Sequence, residues 1–311
     1  MTDDAFLVVD KPQGLTSQQV VARVKRRLRC RKIGHTGTLD PLATGVLPLA
    51  LNRATRLIQY LDESRKVYSG EIELGVESDT LDRDGEIVAR HDGPLTCSES
   101  EVAEVFRCYL GQQTQIAPIY SAIKRNGKPL YAYARAGVEV IPPERQVEID
   151  SFTLLSYNPP LVAFRVVCSR GTYVRSLAAD VGRDLGCGAR IWSLRREVSG
   201  PFTLDQAISL DDLLAKIDAG EDLPWLAPLD VITHLPKLVV SESAIKDRIA
   251  HGRAVPLNEI SASLTGLEAE AELVLIDESG TLLALARLNL AGENEELRML
   301  RVMMPQNLMA S

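Results

Sequence analysis

Segments with the two-residue period of a strand and segments with the 3.6-residue period of a helix are interleaved along this chain, and they never settle into regular strand-helix alternation. A doubly wound parallel sheet requires that alternation, so the pattern points instead to an α+β fold. Strand-like runs lie at 5–10, 66–75, 146–155 and 161–168, and helical patterns at 99–109, 131–137, 173–185 and 210–219. The stretch 220–236 carries Pro224, Pro228 and Pro236 and reads as a connection between domains. It separates a larger domain, 1–233, from a small β-rich one, 234–311, where a helix at 241–250 precedes strand-like runs at 272–276, 282–288 and 298–302.

Charge is distributed as unevenly as structure. Residues 1–66 hold 12 Lys/Arg against 6 Asp/Glu, whereas 203–311 hold 8 against 18, so a formal charge of −7 conceals basic islands. One island is a helix expected from Thr16 onward. Thr16 can cap it with Gln19 reaching back, and Val20, Val21, Val24 and Leu28 form its apolar stripe. Its other face carries Arg23, Lys25, Arg26, Arg27, Arg29, Arg31 and Lys32, too many cations for neighbours on the same helix to neutralise, so they are expected to face water or phosphate. The second island, 165–196, has seven arginines against Asp180 and Asp184. Such local surfaces permit a nucleic-acid partner in an acidic protein. No apolar run approaches the roughly 20 residues of a membrane helix. The first residues are acidic where a secretory signal would be basic, and a cytoplasmic protein is expected. Five scattered cysteines form no Cys-x-x-Cys pair and suggest reduced thiols, with neither a disulfide framework nor a zinc site.

The densest chemical signal is Gly34-His35-Thr36-Gly37-Thr38-Leu39-Asp40-Pro41-Leu42-Ala43-Thr44-Gly45. Three glycines in twelve residues imply unusual torsions or a close backbone approach. Proline at 41 disfavours helical torsions at Asp40 and restricts the pose of its carboxylate, which suits a catalytic group, although an Asp-Pro pair alone also fits a plain turn. The acidic run Asp79, Asp82, Asp84 and Gly85 invites a calcium-loop reading. It fails, because with Gly85 at loop position six the first and twelfth positions are Thr80 and His91, where carboxylates are needed.

The loop 34–48 closely resembles the active-site motif of the TruB family of tRNA pseudouridine synthases. Further motifs similar to that family follow in order: Val9-Asp10-Lys11-Pro12-Gln13-Gly14, Lys66-Val67-Tyr68, Ser78-Asp79-Thr80-Leu81-Asp82, Ile119-Tyr120-Ser121-Ala122-Ile123-Lys124 and Ser169-Arg170-Gly171-Thr172-Tyr173-Val174-Arg175-Ser176. The resemblance covers at least 5–202. It implies a pseudouridine synthase fold, with a mixed, largely antiparallel central sheet flanked by helices, an insertion around 90–145, and a PUA-like RNA-binding domain at the C-terminal end. It also implies isomerisation of the uridine at position 55 in the T-loop of tRNA. No atom is gained or lost in that reaction, so no cofactor and no metal are expected.

By the same resemblance Asp40 is the essential carboxylate, and attack on C1′, attack on C6 and removal of the C2′ proton all remain open. Arg175 is the arginine paired with it; its fork can hold both carboxylate oxygens and favour the charged form. Tyr68 stacks on the target uracil and is a candidate for proton removal at C5. Tyr173 and Leu194 line the pocket, Lys11 supports the loop or a phosphate, His35 fills the space left by the extruded base, and Asp82 touches the flipped nucleotides. The basic helix at 18–32 and the arginines at 165–196 would line the tRNA cleft. The expected partner is the tRNA T-arm stem-loop, with no obligate protein partner, no membrane association and a monomer as the simplest state. An RNA chaperone without catalysis and a dyskerin-like, RNA-guided enzyme are the competing readings.

Overall fold

Val162, Phe164, Val166 and Cys168 are buried while the residues between them are not, the period-two signature of a strand with one face on a core. The computed structural model, which describes residues 4–62, 65–260, 267–290 and 295–304, builds a large sheet from such segments. In chain order its strands and their hairpin companions are β1 (Phe6–Lys11), β2 (Ile33–His35), β3 (Thr44–Leu51), β4 (Arg65–Leu74), β5 (Val76–Ser78), β6 (Ile87–Arg90), β7 (Gly111–Ile116), β8 (Lys124–Arg125), β9 (Lys128–Pro129), β10 (Glu144–Asn158), β11 (Leu161–Ser169), β12 (Ala189–Ser199), β13 (Phe202–Thr203) and β14 (Ala207–Ser209). Among the described residues the sheet runs β14-β1-β3-β12-β4-β11-β10-β7, with β13 added to β12 and β2 to β3. The pairs β1/β14 and β3/β12 are parallel, and β12/β4, β4/β11, β11/β10 and β10/β7 are antiparallel. This is the α+β fold that the sequence pattern predicts, with the mixed, largely antiparallel sheet that the family resemblance implies.

Two strands escape periodicity for opposite reasons. Every residue of 45–51 in β3 is buried, so an unbroken apolar run takes the place of alternation. In β12 the inward positions include Arg190 and Arg196, so a strand reads as a polar segment.

Helices α1 (Ser17–Leu28), α2 (Glu99–Cys108), α3 (Leu130–Arg135), α4 (Val174–Asp184) and α5 (Leu210–Ala219) accompany the sheet. Helix α1 has the expected capping box of Thr16 and Gln19, but it stops at Leu28 because Arg29 turns left-handed (φ 49°). Arg29, Arg31 and Lys32 therefore lie beyond the helix, which corrects the basic helix of 18–32. Arg27 is also not free for phosphate: its guanidinium pairs with Asp218 of α5.

A smaller compact unit gathers the described residues of 1–6, 50–61 and 225–311. It holds α6 (Pro228–Val231), α7 (Ser243–Ala250) and a five-stranded sheet of β15 (Lys237–Val239), β16 (Val255–Pro256), β17 (Glu272–Ile276), β18 (Leu282–Asn289) and β19 (Glu296–Val302), in the order β15-β17-β18-β19-β16. Its own apolar core includes Leu238, Ile249, Leu275, Leu283 and Leu297. Among the described residues no helix is long and apolar enough to cross a membrane.

Candidate active site

Independent clamps fix the backbone on both sides of Asp40. Ser17, the first residue of α1, is buried; its hydroxyl donates to the Leu39 carbonyl (3.0 Å) and accepts from the Leu39 amide (2.8 Å). The Gly14 amide donates to the Pro41 carbonyl (2.8 Å). Lys11 has no exposed surface, and its Nζ donates to the same carbonyl (3.3 Å) and to those of Pro12 (2.9 Å) and Leu15 (2.6 Å). On the other side Arg196, also fully buried, donates from Nε to Val46 O (2.8 Å), from Nη1 to Thr38 O (3.4 Å) and from Nη2 to Gly37 O (3.1 Å). A loop with this many directed hydrogen bonds holds one conformation, which is what a reacting carboxylate needs.

The Asp40 side chain is the exposed end of a buried network. Its carboxylate retains 34% of its surface, whereas the Arg175 side chain against it retains 5%. Arg175 contacts both oxygens of Asp40: Nη2 donates to Oδ1 (3.1 Å), and Nε lies 2.9 Å from Oδ2 as an ion-pair contact without hydrogen-bond geometry. The same guanidinium donates to Thr80 O (2.6 Å) and Tyr120 O (2.9 Å), and its Nη1 lies 3.6 Å from Oδ2 of Asp82. Helix α4 supplies this arginine from its first turn; Tyr173, its N-cap, is gripped by the buried Gln115, which accepts from the Tyr173 amide (2.7 Å) and donates to its carbonyl (3.0 Å).

Asp82 sits in the turn between β5 and β6, where the Leu81 carbonyl and the Arg83 amide pair with Ile191 of β12 (3.0 and 2.9 Å). Its Oδ1 accepts from Thr80 Oγ1 (2.6 Å) and the Asp84 amide (3.1 Å). Burial pushes its carboxyl above the ordinary carboxylate range, opposed by the Thr80 hydroxyl and by Arg175. The acidic run thus forms turn hydrogen bonds, and the described residues hold no cluster of His, Cys, Asp and Glu fit for a metal.

Tyr68 and Leu194 lie on adjacent strands. The β4/β12 register sets Tyr68 opposite Arg196 and Gly70 opposite Leu194, so the four positions share one face. Gly70 is required there, since a Cβ would stand 2.2 Å from the Ser193 carbonyl oxygen. Burial pushes the Tyr68 phenol up, while the nearby Arg196 charge pulls it back. Lys11 is driven down to about 8 by desolvation, with Asp40 acting against the fall. His35, also lowered by burial and by Arg196, is held neutral, and its Nδ1 is buried without a hydrogen-bond partner.

The structure therefore joins Asp40, Arg175 and Asp82 by direct contact, sets Tyr68 and Leu194 beside Arg196, and puts Lys11 behind the loop, where carbonyls occupy its ammonium. No hydrogen bond or ion pair links His35, Tyr173 or Leu194 to Asp40. Sequence reasoning missed Ser17 and Gln115, which carry no motif signal of their own, and Arg196, which read only as one of a run of RNA-facing charges. It also assigned the arginines of 165–196 to an RNA-facing surface as a group, which the structure corrects. Arg175, Arg190 and Arg196 are buried, and Arg165, Arg183 and Arg195 pair with Glu197, Asp180 and Asp10. Arg170 is exposed.

Two family profiles match adjoining stretches of the chain: TruB family pseudouridylate synthase (N terminal domain) over 25–174 and tRNA pseudouridylate synthase B C-terminal domain over 175–231. A protein named tRNA pseudouridine synthase B from Geotalea uraniireducens is 43% identical over 303 residues, which covers 96% of both chains. Its namesake from Geobacter sulfurreducens is 44% identical over 306 residues, 96% of this chain and 99% of that one. Among solved structures, an H/ACA RNP bound to a substrate RNA containing 2′-deoxyuridine matches with a TM-score of 0.73 at 26% identity, covering 98% of this chain and 86% of that one. A Cbf5-Nop10-Gar1 complex matches with a TM-score of 0.73 at 28% identity, covering 99% and 87%.

Proposed function

The chain belongs to the TruB family of pseudouridylate synthases and is an isomerase acting on tRNA; from that premise we propose that it converts the uridine at position 55 of the T-loop to pseudouridine, with Asp40 as the essential carboxylate. The observation that carries this reading is the pair of contacts at 2.9 and 3.1 Å by which one buried guanidinium holds a partly exposed carboxylate on a clamped loop. The reaction breaks the bond from C1′ to uracil N1 and makes one from C1′ to C5; C5 releases its proton to solvent and N1 takes one up, so that composition is unchanged. It needs a positioned carboxylate and a proton acceptor, and both are side chains of this protein.

The roles divide by position. Asp40 reacts with the ribose or the base, and Arg175, hydrogen-bonded to one oxygen and in ion-pair contact with the other, holds it so that little reorganisation is needed as charge shifts. Tyr68 stacks on the uracil and takes the C5 proton, with Arg196 beside its hydroxyl to stabilise developing negative charge. Leu194 and Tyr173 bound the pocket. The target nucleotide must leave its stack at a cost of a few kcal/mol. His35, with a buried and unsatisfied ring nitrogen, suits the vacated space, and Asp82 is assigned to contact with the flipped nucleotides. Lys11 acts through the loop and so is a positioning residue.

The named relatives share 43–44% identity with this chain over nearly full length, against 26–28% for the RNP proteins. That favours an enzyme of the named relatives' kind over one built into an RNP; we further take it to act as a monomer on the T-arm stem-loop in the cytoplasm, with 234–311 as an RNA-binding PUA-like domain. Replacing Asp40 with asparagine should abolish tritium release from 5-tritiated uridine in an unmodified T-arm stem-loop while leaving RNA affinity within a few fold. Turnover by the variant would remove Asp40 from the chemistry.

A further inference from the structure

Beside the active-site loop, and using none of its catalytic side chains, the larger unit has a cleft of about 360 Å³ lined by Lys66, Arg145, Gln146, Val147, Arg170 and Gly171. Three of the six lining residues are cations and none is an acid. No ion pair between described residues engages Arg145 or Arg170, although acids stand nearby on β10: Glu148 and Asp150 are both taken by Arg65. Arg145 and Arg170 thus bring charge to a concave surface, which attracts an anion and holds it less screened than a flat surface would.

The walls of the cleft tie it to both halves of the site. Lys66 packs against the catalytic loop, since a Cβ added at Gly37 would lie 3.2 Å from its Nζ. Gly37 is three residues from Asp40, so at roughly 3.5 Å per residue the chain between them spans at most about 10 Å. On the opposite wall the Arg145 guanidinium lies 5.9 Å from the ring centre of Tyr173. Gly171 (φ +87°) lets Arg145 approach, because a Cβ there would stand 3.2 Å from Nη1. The cleft is therefore bounded by Lys66, which lies near Gly37, three residues before Asp40, and by Arg145, which lies over Tyr173, two residues before Arg175.

We propose that this cleft is a phosphate subsite, in which Arg145 and Arg170 hold one backbone phosphodiester of the RNA strand next to the extruded uridine. The inference rests on the function proposed above and adds to it the place where the strand is gripped. A phosphodiester is the ligand of choice because two guanidinium groups present forked donors suited to paired phosphate oxygens. Holding the strand here would keep the sugar of the extruded nucleotide at Asp40 and share part of the unstacking cost.

The test uses Arg170→Gln and the double variant Arg145→Gln/Arg170→Gln in the full chain, with thermal melts to verify folding. Affinity for an unmodified T-arm stem-loop is measured by filter binding across a salt series, and single-turnover tritium release is measured at saturating RNA. The double variant should bind at least tenfold more weakly than wild type. Its log–log salt slope should be shallower by about 0.7 for each phosphate that the protein no longer neutralises. RNAs with one neutral methylphosphonate at each successive linkage then identify the gripped phosphate: one linkage should weaken wild type and leave the double variant no worse. Unchanged affinity and slope, or a methylphosphonate penalty equal in both proteins at every linkage, overturns the proposal. So does competition by inorganic phosphate in the absence of any such sensitive linkage, which would make the cleft a site for free anions. Failure of wild type to release tritium would instead overturn the proposed reaction, and the binding arm would still report on the cleft.

Discussion

Arg175 bears on stability and catalysis through different partners, so the two can be separated. In Arg175→Met the aliphatic volume is nearly kept and the guanidinium is removed, along with hydrogen bonds to Thr80 O at 2.6 Å and Tyr120 O at 2.9 Å. Breaking a buried ion pair by removing one partner costs about 3–5 kcal/mol, mainly because the other charge is stranded. Here the stranded charge is Asp82, with 8% of its side chain exposed, whereas Asp40 keeps 34% and is screened by water, so its pairing contributes about 1 kcal/mol at most. We therefore expect Arg175→Met to lose about 3–5 kcal/mol in urea unfolding, and Arg175→Met/Asp82→Asn to recover about 1–2 kcal/mol of that by removing the buried carboxylate.

Acidity supplies a check on the assignment. Asp82 already has a raised folded pKa, and removing Arg175 raises it further. A carboxyl raised on folding costs stability above its folded pKa and is relieved as pH falls, so the deficit of the single variant should shrink toward acid while that of the double variant should not. Activity should not follow stability. Both variants leave Asp40 unheld, and misplacement by about 1 Å costs on the order of 100-fold, so single-turnover tritium release should fall at least that far in each. A double variant that regained both stability and rate would refute this division, as would an Arg175→Met protein unfolding within about 1 kcal/mol of wild type.

Two further expectations concern the loop's supports. The Lys11 ammonium is fully buried with its pKa lowered from 10.5 to about 8, which at about 1.36 kcal/mol per pH unit corresponds to roughly 3 kcal/mol of cost while it is charged. That cost is present below about pH 8 and is relieved between about pH 8 and 10.5, where the unfolded chain still holds the proton and the folded one has released it. Wild-type stability should thus gain on Lys11→Met across that window in paired urea titrations, and a parallel pH dependence would show that Lys11 is not buried as a charge. Gly45 has φ +97° and pairs with Arg196, where a Cβ would stand 2.2 Å from the Arg196 carbonyl oxygen. Gly45→Ala must shift paired backbone as well as strain it, and should lose about 3–5 kcal/mol in the same assay; a loss under about 1 kcal/mol would mean that the β3/β12 pairing yields easily.

How much of this was legible in the sequence depends on whether a residue's task is local. The β11 alternation and the Thr16/Gln19 cap involve only neighbours in the chain, and both stand where periodicity put them. The contact between Asp40 and Arg175 spans 135 positions, and only the resemblance to a family brought those residues together beforehand. Arg196 shows why composition could not. A run of arginines is ordinarily solvated because burying a guanidinium requires acceptors, and composition does not reveal acceptors that are backbone carbonyls. Here Gly37, Thr38 and Val46 provide them, and all belong to the loop that carries Asp40 or to its exit strand. The same chemistry accounts for Lys11, whose acceptors are the carbonyls of Pro12, Leu15 and Pro41. In a glycine- and proline-rich loop few carbonyls are satisfied by regular secondary structure, so the loop itself creates the demand for buried donors. The two cations hidden behind Asp40 follow from the torsions that make the loop suitable for a reacting carboxylate, which ties the most conspicuous motif of the sequence to the residues it concealed.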